Sequence, residues 1–152
     1  MTSMVVVARD IVRTTIEELQ QAGRVHQERV VLWLGRREAD AVTVRRVFVP
    51  IQQAAHDYFH IPREGMAALL TYLRQSRLQV AAQVHSHPYE AFHSQADERW
   101  AIIRHVGALS LVVPSFGLQT TAETFVDDAA VYELFLDNRW HHVPVTQVLR
   151  CY

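Results

Sequence analysis

The residues best placed to do chemistry are two histidines two positions apart, His85 and His87, in the stretch V-H-S-H-P-Y-E-A-F-H-S-Q-A-D (84–97). The residues leading into them, L-Q-V-A-A-Q-V-H (78–85), are apolar and β-prone, which predicts a buried strand. Side chains alternate along a strand, so His85 and His87 project to the same side. Pro88 cannot donate to a sheet ladder and marks the strand's end. Two imidazoles leaving a strand on one face can take two tetrahedral positions on zinc. Ser94 has the character of a helix N-cap, with Asp97 one turn further in. A carboxylate there can be a third ligand, leaving the fourth position for water, as catalytic zinc requires. Taken singly, each piece has a plainer reading. H-x-H is also a polar pair at a sheet end, and S-x-x-D is also a capping box. The argument for metal lies in their combination.

That combination resembles the signature of the JAMM/JAB metallopeptidases, the MPN domains that carry zinc, and the likeness covers nearly the whole chain. The family pattern is an upstream glutamate, then H-S/T-H-P, then S-x-x-D. Glu28 stands just ahead of the apolar run V-V-L-W-L-G (30–35), which predicts a buried strand ending at a glycine. On its own, a carboxylate there is a solvated strand start. The resemblance implies that Glu28 is instead the general base, taking a proton from zinc-bound water and passing it to the leaving amine. Glu17, Glu18 and Glu38 fit that place less well. The resemblance further implies Zn2+ held by His85, His87 and Asp97, with Ser94 donating to the carbonyl oxygen as it gains charge. It also implies the reaction: cleavage after the C-terminal glycine of a ubiquitin-like protein, from a lysine or a short extension. Partners would be that protein or its conjugates, together with activating- and conjugating-enzyme-like proteins of a bacterial conjugation or defence pathway. One departure stands out. The family has seven residues between the second histidine and the serine, whereas this chain has six, Pro88 to His93. The shorter loop makes Glu90 and His93 candidate neighbours of the metal. An MPN domain that has lost its metal and serves as a scaffold is the alternative function.

The surrounding elements are those needed to present such a site. Met4–Ala8 predicts a strand, and the spacing of Ile11, Val12, Ile16, Leu19 and Ala22 predicts a helix capped by Asp10 and ended by Gly23. Val42, Val44, Val47 and Val49 alternate with a slip at Arg45-Arg46, predicting a bulged strand in a hairpin with the preceding one. Pro62–Arg77 predicts a second helix with Met66, Leu69, Leu70 and Leu73 inward. Ser94–Arg104 predicts a third, with Trp100 and Ile103 inward. Ala108–Val113 predicts a strand, Ser115–Asp128 a loop with one edge strand, and Asp137-Asn138 a hairpin turn. Pro144 is expected to open a last helix through Arg150. His56 and His60 would share a helix face, but no glutamate follows His56 in the zincin manner. The fold class expected is α/β, a curved, mixed, largely antiparallel sheet flanked by three main helices in the JAB/MPN manner.

The totals bound the rest. A length of 152 residues predicts one domain, and 49% apolar residues suffice for a sizeable core. A net charge of −1 gives no electrostatic case for nucleic acid or an anionic membrane. Cys151 is the only cysteine, which excludes a disulfide framework and a Cys-based zinc site. It also removes the P-C-x-x-C element a nucleobase deaminase needs. With no basic region before the short apolar start, and no run of membrane-spanning length, the expected setting is cytoplasmic.

Overall fold

The computed structural model describes residues 4–55, 59–94, 97 and 101–152. Its β-branched runs pair into one eight-stranded mixed sheet. The strands are β1 (Met4–Val7), β2 (Val30–Glu38), β3 (Ala41–Phe48), β6 (Gln79–Ser86), β7 (Leu109–Val113), β8 (Ala130–Leu134), β9 (Trp140–Val143) and β10 (Leu149–Cys151). The spatial order is β10-β1-β3-β2-β6-β7-β8-β9. Pairing is antiparallel at four of the seven strand contacts and parallel at β1–β10, β1–β3 and β6–β7. Two further short strands, β4 (Gln53–Ala54) and β5 (Phe59–His60), form a separate ladder. The α/β class with a curled mixed sheet is the one the sequence predicts.

Helices cover both faces, because successive residues of the central strands point opposite ways. Helix α1 (Arg9–Gly23) buries Val12, Ile16, Leu19 and Ala22 against Val31, Trp33, Ala82, Val84, Leu109 and Leu111. A polar contact deep in that layer is Trp33 Nε1–H donating to Thr15 Oγ1 at 2.8 Å, while the Thr15 hydroxyl donates to the Ile11 carbonyl at 2.8 Å. Helix α2 (Arg63–Ser76) lies on the other face, where Leu69 packs with Val30, Leu32, Leu34, Phe59 and Val80. Arg77 closes α2 in the left-handed conformation, its N–H returning to the Leu73 carbonyl.

Several local expectations are corrected. The N-cap of α1 is Ala8; Asp10 sits in the first turn and pairs with Arg13 at 2.8 Å. Strand β2 runs past Gly35 to Glu38, and the glycine serves a close approach instead: a Cβ there would meet the Thr43 carbonyl oxygen at 2.5 Å. The predicted bulge is present, since Leu34 faces Arg46 and Gly35 faces Val44, leaving Arg45 over. Leu70 is half exposed, so the buried stripe of α2 is narrower than the spacing suggests. Ser115–Asp128 holds no strand; it forms a 3-10 turn (Ser115–Gly117) and a short helix α3 (Phe125–Asp128). After Pro144 there is a single turn, α4 (Val145–Val148), and then β10, which pairs in parallel with β1. Of the predicted third helix, Asp97 is helical, residues 101–104 are not, and Trp100 lies outside the described residues. Ile103 is buried as expected. No helix among the described residues is long and apolar enough to cross a membrane.

Candidate metal centre

The site is built at the exit of β6, on the face that α2 covers. Val30 of β2 lies opposite His85 in the antiparallel register. Glu28 stands two residues before Val30, and His87 two residues after His85. Glu28, His85 and His87 are buried, as is Asp97, although none of them is apolar. Burial of this kind is costly unless the groups satisfy one another or a ligand.

Three ligand atoms converge. His85 Nε2 lies 3.1 Å and His87 Nε2 2.9 Å from Asp97 Oδ2. Among the described residues, His85, His87 and Asp97 are the group whose ligand atoms lie mutually close enough to hold a metal ion, all within 4.8 Å. A tetrahedral ion with bonds of about 2.0–2.1 Å sets its ligand atoms roughly 3.3 Å apart and the centres of two ligating imidazoles roughly 5 Å apart. The ring centres of His85 and His87 are 5.1 Å apart. Moreover, both ring nitrogens of His85 are buried without a hydrogen-bond partner, so the short contact of its Nε2 with Asp97 is an approach of ligand atoms and not a formed hydrogen bond. The donor set, two imidazoles and a carboxylate around a common point, fits a divalent metal of the zinc class.

Ser94 and Asp97 form a reciprocal cap. Ser94 N–H donates to Asp97 Oδ2 at 2.8 Å, and Asp97 N–H donates to Ser94 Oγ at 3.1 Å. The same geometry aims the carboxylate at the histidines and leaves the Ser94 hydroxyl one proton to donate elsewhere. Burial alone would raise the Asp97 pKa. The charge interaction with neighbouring His85, the bond from the His87 imidazole and that from the Ser94 N–H outweigh it and hold the carboxyl well below its usual range. Asp97 is therefore the ionised form that a cation needs.

The supports of the site are less visible in the sequence. Arg29 N–H donates to Ser86 Oγ at 3.1 Å, and Ser86 N–H donates to the Arg29 carbonyl at 3.1 Å, tying the residue between the histidines to the residue after Glu28. Glu28 N–H donates to the Ala55 carbonyl at 2.9 Å. On the β3 side, continuing the register from Leu32 opposite Phe48 brings Pro50 opposite Val30, where proline has no N–H to give. The Gln52 carboxamide fills the gap. Its Oε1 accepts from Val30 N–H at 2.8 Å, and its Nε2 donates to the carbonyls of Val30 and Pro50 at 2.9 and 3.1 Å. The metal loop itself is strapped to the turn after β7. His87 N–H donates to the Val113 carbonyl, Phe116 N–H to that of His87, and Ser115 N–H to that of Tyr89, all at 2.8–2.9 Å.

The six-residue loop still delivers Asp97 to the histidines. Of the two extra candidates it raised, Glu90 is exposed. His93 is half-buried, its ring 6.2 Å from that of His85 and flanked by Tyr132 and Trp140 at 5.0 and 5.2 Å. Burial, with His85 adding to it, pushes the His93 imidazole down to about 4. His60 lies in β5 and not on a helix, and His56 is outside the described residues. His141 pairs with Asp137 at 2.8 Å, while His142 sits against Tyr132.

The chain belongs to a metalloprotease family. It is 30% identical over 150 residues, 96% of this chain and 91% of the relative, to the probable metalloprotease y4jG of Sinorhizobium fredii (strain NBRC 101917 / NGR234). No family model matches the chain. In fold it is similar to the solution structure of protein DSY2949 from Desulfitobacterium hafniense, with a TM-score of 0.72 and 17% identity, covering 98% of this chain and 93% of that one.

Proposed function

We propose that the protein is a zinc-dependent peptidase of the JAMM type, acting as a single cytoplasmic domain on the bond after the C-terminal glycine of a ubiquitin-like protein. The observation that carries this reading is the convergence of His85 Nε2, His87 Nε2 and Asp97 Oδ2, and the burial of Glu28 just ahead of the strand that pairs with β6 supports it. Membership of a metalloprotease family supports the hydrolytic part, and the H-S-H-P and S-x-x-D motifs with Glu28 support the JAMM part.

His85, His87 and Asp97 would hold the ion. When bound, zinc supplies a Lewis acid that polarises the scissile carbonyl and acidifies water. Glu28, held at its backbone by Ala55, accepts the proton of the attacking water and delivers it to the leaving amine. Ser94, its oxygen already engaged by Asp97 N–H, donates its hydroxyl proton to the carbonyl oxygen as that oxygen gains charge. The ubiquitin-like substrate, and activating- and conjugating-enzyme-like partners, follow from the family resemblance.

Zinc content decides first between this enzyme and a metal-free scaffold. Near one zinc per chain is expected in the parent and none in a His85→Ala, His87→Ala double variant. A parent that stays zinc-free after incubation with the metal would establish the scaffold reading. Cleavage of a fusion carrying a ubiquitin-like domain ending in glycine, stopped by chelation and restored by zinc, then tests the substrate class.

A further inference from the structure

His93 is a third histidine at the metal centre, with no task in the chemistry above. Both of its ring nitrogens are buried and without a hydrogen-bond partner. An imidazole deprived of water at both nitrogens costs about 1–3 kcal/mol for each unsatisfied group, so such a residue calls for an explanation. Packing alone does not supply one, since a phenylalanine between Tyr132 and Trp140 would fill the space without the penalty. The histidine stands where the loop from Pro88 is one residue shorter than the family's, immediately before Ser94. Its ring centre lies 6.2 Å from that of His85, about 1 Å beyond the separation expected of two imidazoles on one tetrahedral ion. A small rotation of one side chain closes that gap, and the ring brings an unused nitrogen lone pair to do it.

We propose that His93 is a fourth, displaceable protein ligand of the metal, occupying the open coordination position while no substrate is bound. The proposal rests on the metal reading above and adds to it. With three protein ligands a zinc site is open, and with four it is closed. The loop Pro88–His93 would therefore act as a plug, withdrawn toward Tyr132 and Trp140 when a substrate carbonyl takes the position. In the structure the His93 ring rests against those two rings, about 1 Å beyond the ligating separation.

X-ray absorption at the zinc edge of the zinc-loaded full chain counts imidazoles directly. Three are expected; two, from His85 and His87 alone, would overturn the proposal. In parallel, Co2+ is titrated into the parent and into His93→Phe, with circular dichroism of both apo chains as the check on folding. The variant is expected to bind Co2+ about ten- to a hundred-fold more weakly. Its visible d–d bands should also shift as an imidazole leaves the ligand set. Superimposable spectra and equal affinities would overturn the proposal; should His93→Phe not fold, the imidazole count of the parent decides alone. A parent that takes up neither ion removes the metal reading itself, an outcome distinct from a parent that binds zinc with two imidazoles.

Discussion

The two faces of the central sheet are made from the same strands and do different work. On the α1 face, Val31, Trp33, Ala82, Val84, Leu109 and Leu111 pack into an apolar layer that meets the buried Thr15 hydroxyl through Trp33. On the α2 face the apolar layer of Val30, Leu32, Leu34 and Val80 gives way, toward one end, to buried Gln83, Ser110, His85, His87 and Asp97. Gln83 spans the change: it donates to Ser110 Oγ at 2.9 Å and accepts from Ile102 N–H at 3.0 Å, fastening the segment that follows Asp97. The alternation of one strand thus separates stability from chemistry. The first face gains from every group it buries. The second carries groups whose burial is unfavourable and is compensated only by one another or by a ligand.

Substitutions at the metal centre and on the α1 face should therefore fail in different ways. The largest effect belongs to Glu28→Gln. Turnover is expected to fall by about a hundred- to ten-thousand-fold, the range that a positioned general base supplies. Zinc content should be unchanged and thermal stability equal or higher, because a neutral amide replaces a buried carboxylate. Turnover within a factor of a few of the parent would remove Glu28 from the proton transfer. Trp33→Ala tests the α1 face. A fully buried indole is lost together with its bond to Thr15, and denaturant unfolding should show a loss of about 3–5 kcal/mol. Folded variant protein should still bind one zinc with the parent's affinity. A weakened metal site would mean that the two faces are coupled through the sheet more strongly than their separate packing suggests.

What could be read from the sequence was local. The exit of β6, with His85 and His87 on one side and a cap at Ser94–Asp97, follows from a strand pattern, a proline and a four-residue motif. Glu28 stands out through family likeness, and its burial just ahead of β2 is seen only in the fold. The parts that escaped are those in which distant residues meet. Strand β10 is three residues long and exists through its partner β1 at the other end of the chain. The orphaned nitrogens of His93 depend on Tyr132 and Trp140 arriving from a later hairpin. Gln52 reads as an ordinary loop glutamine until it is seen to stand in for a strand. A signal was present all the same: the continuation of β3 meets Pro50, which cannot complete the ladder beside Val30.

That stand-in gives the finest test of the comparison, because Gln52 belongs to neither packed layer and yet bonds the strand just after Glu28. Its carboxamide serves both backbone groups of Val30, two residues after Glu28. Gln52→Leu keeps most of the volume but leaves those groups unpaired, and the expected loss of stability is about 1–3 kcal/mol. The amide proton of Val30 should then exchange faster, while amides at the centre of β2, such as those of Leu32 and Trp33, keep their protection relative to global unfolding. If Gln52 orients Glu28, turnover should also fall with metal affinity unchanged, since none of its bonds reaches His85, His87 or Asp97. Gln52→Glu separates donor from acceptor: it can still accept from Val30 N–H but cannot donate to either carbonyl, and it places a negative charge beside them. That variant should be at least as damaging as Gln52→Leu. A Gln52→Glu chain with the parent's stability and Val30 exchange rate would show that the interrupted ladder does not need the carboxamide.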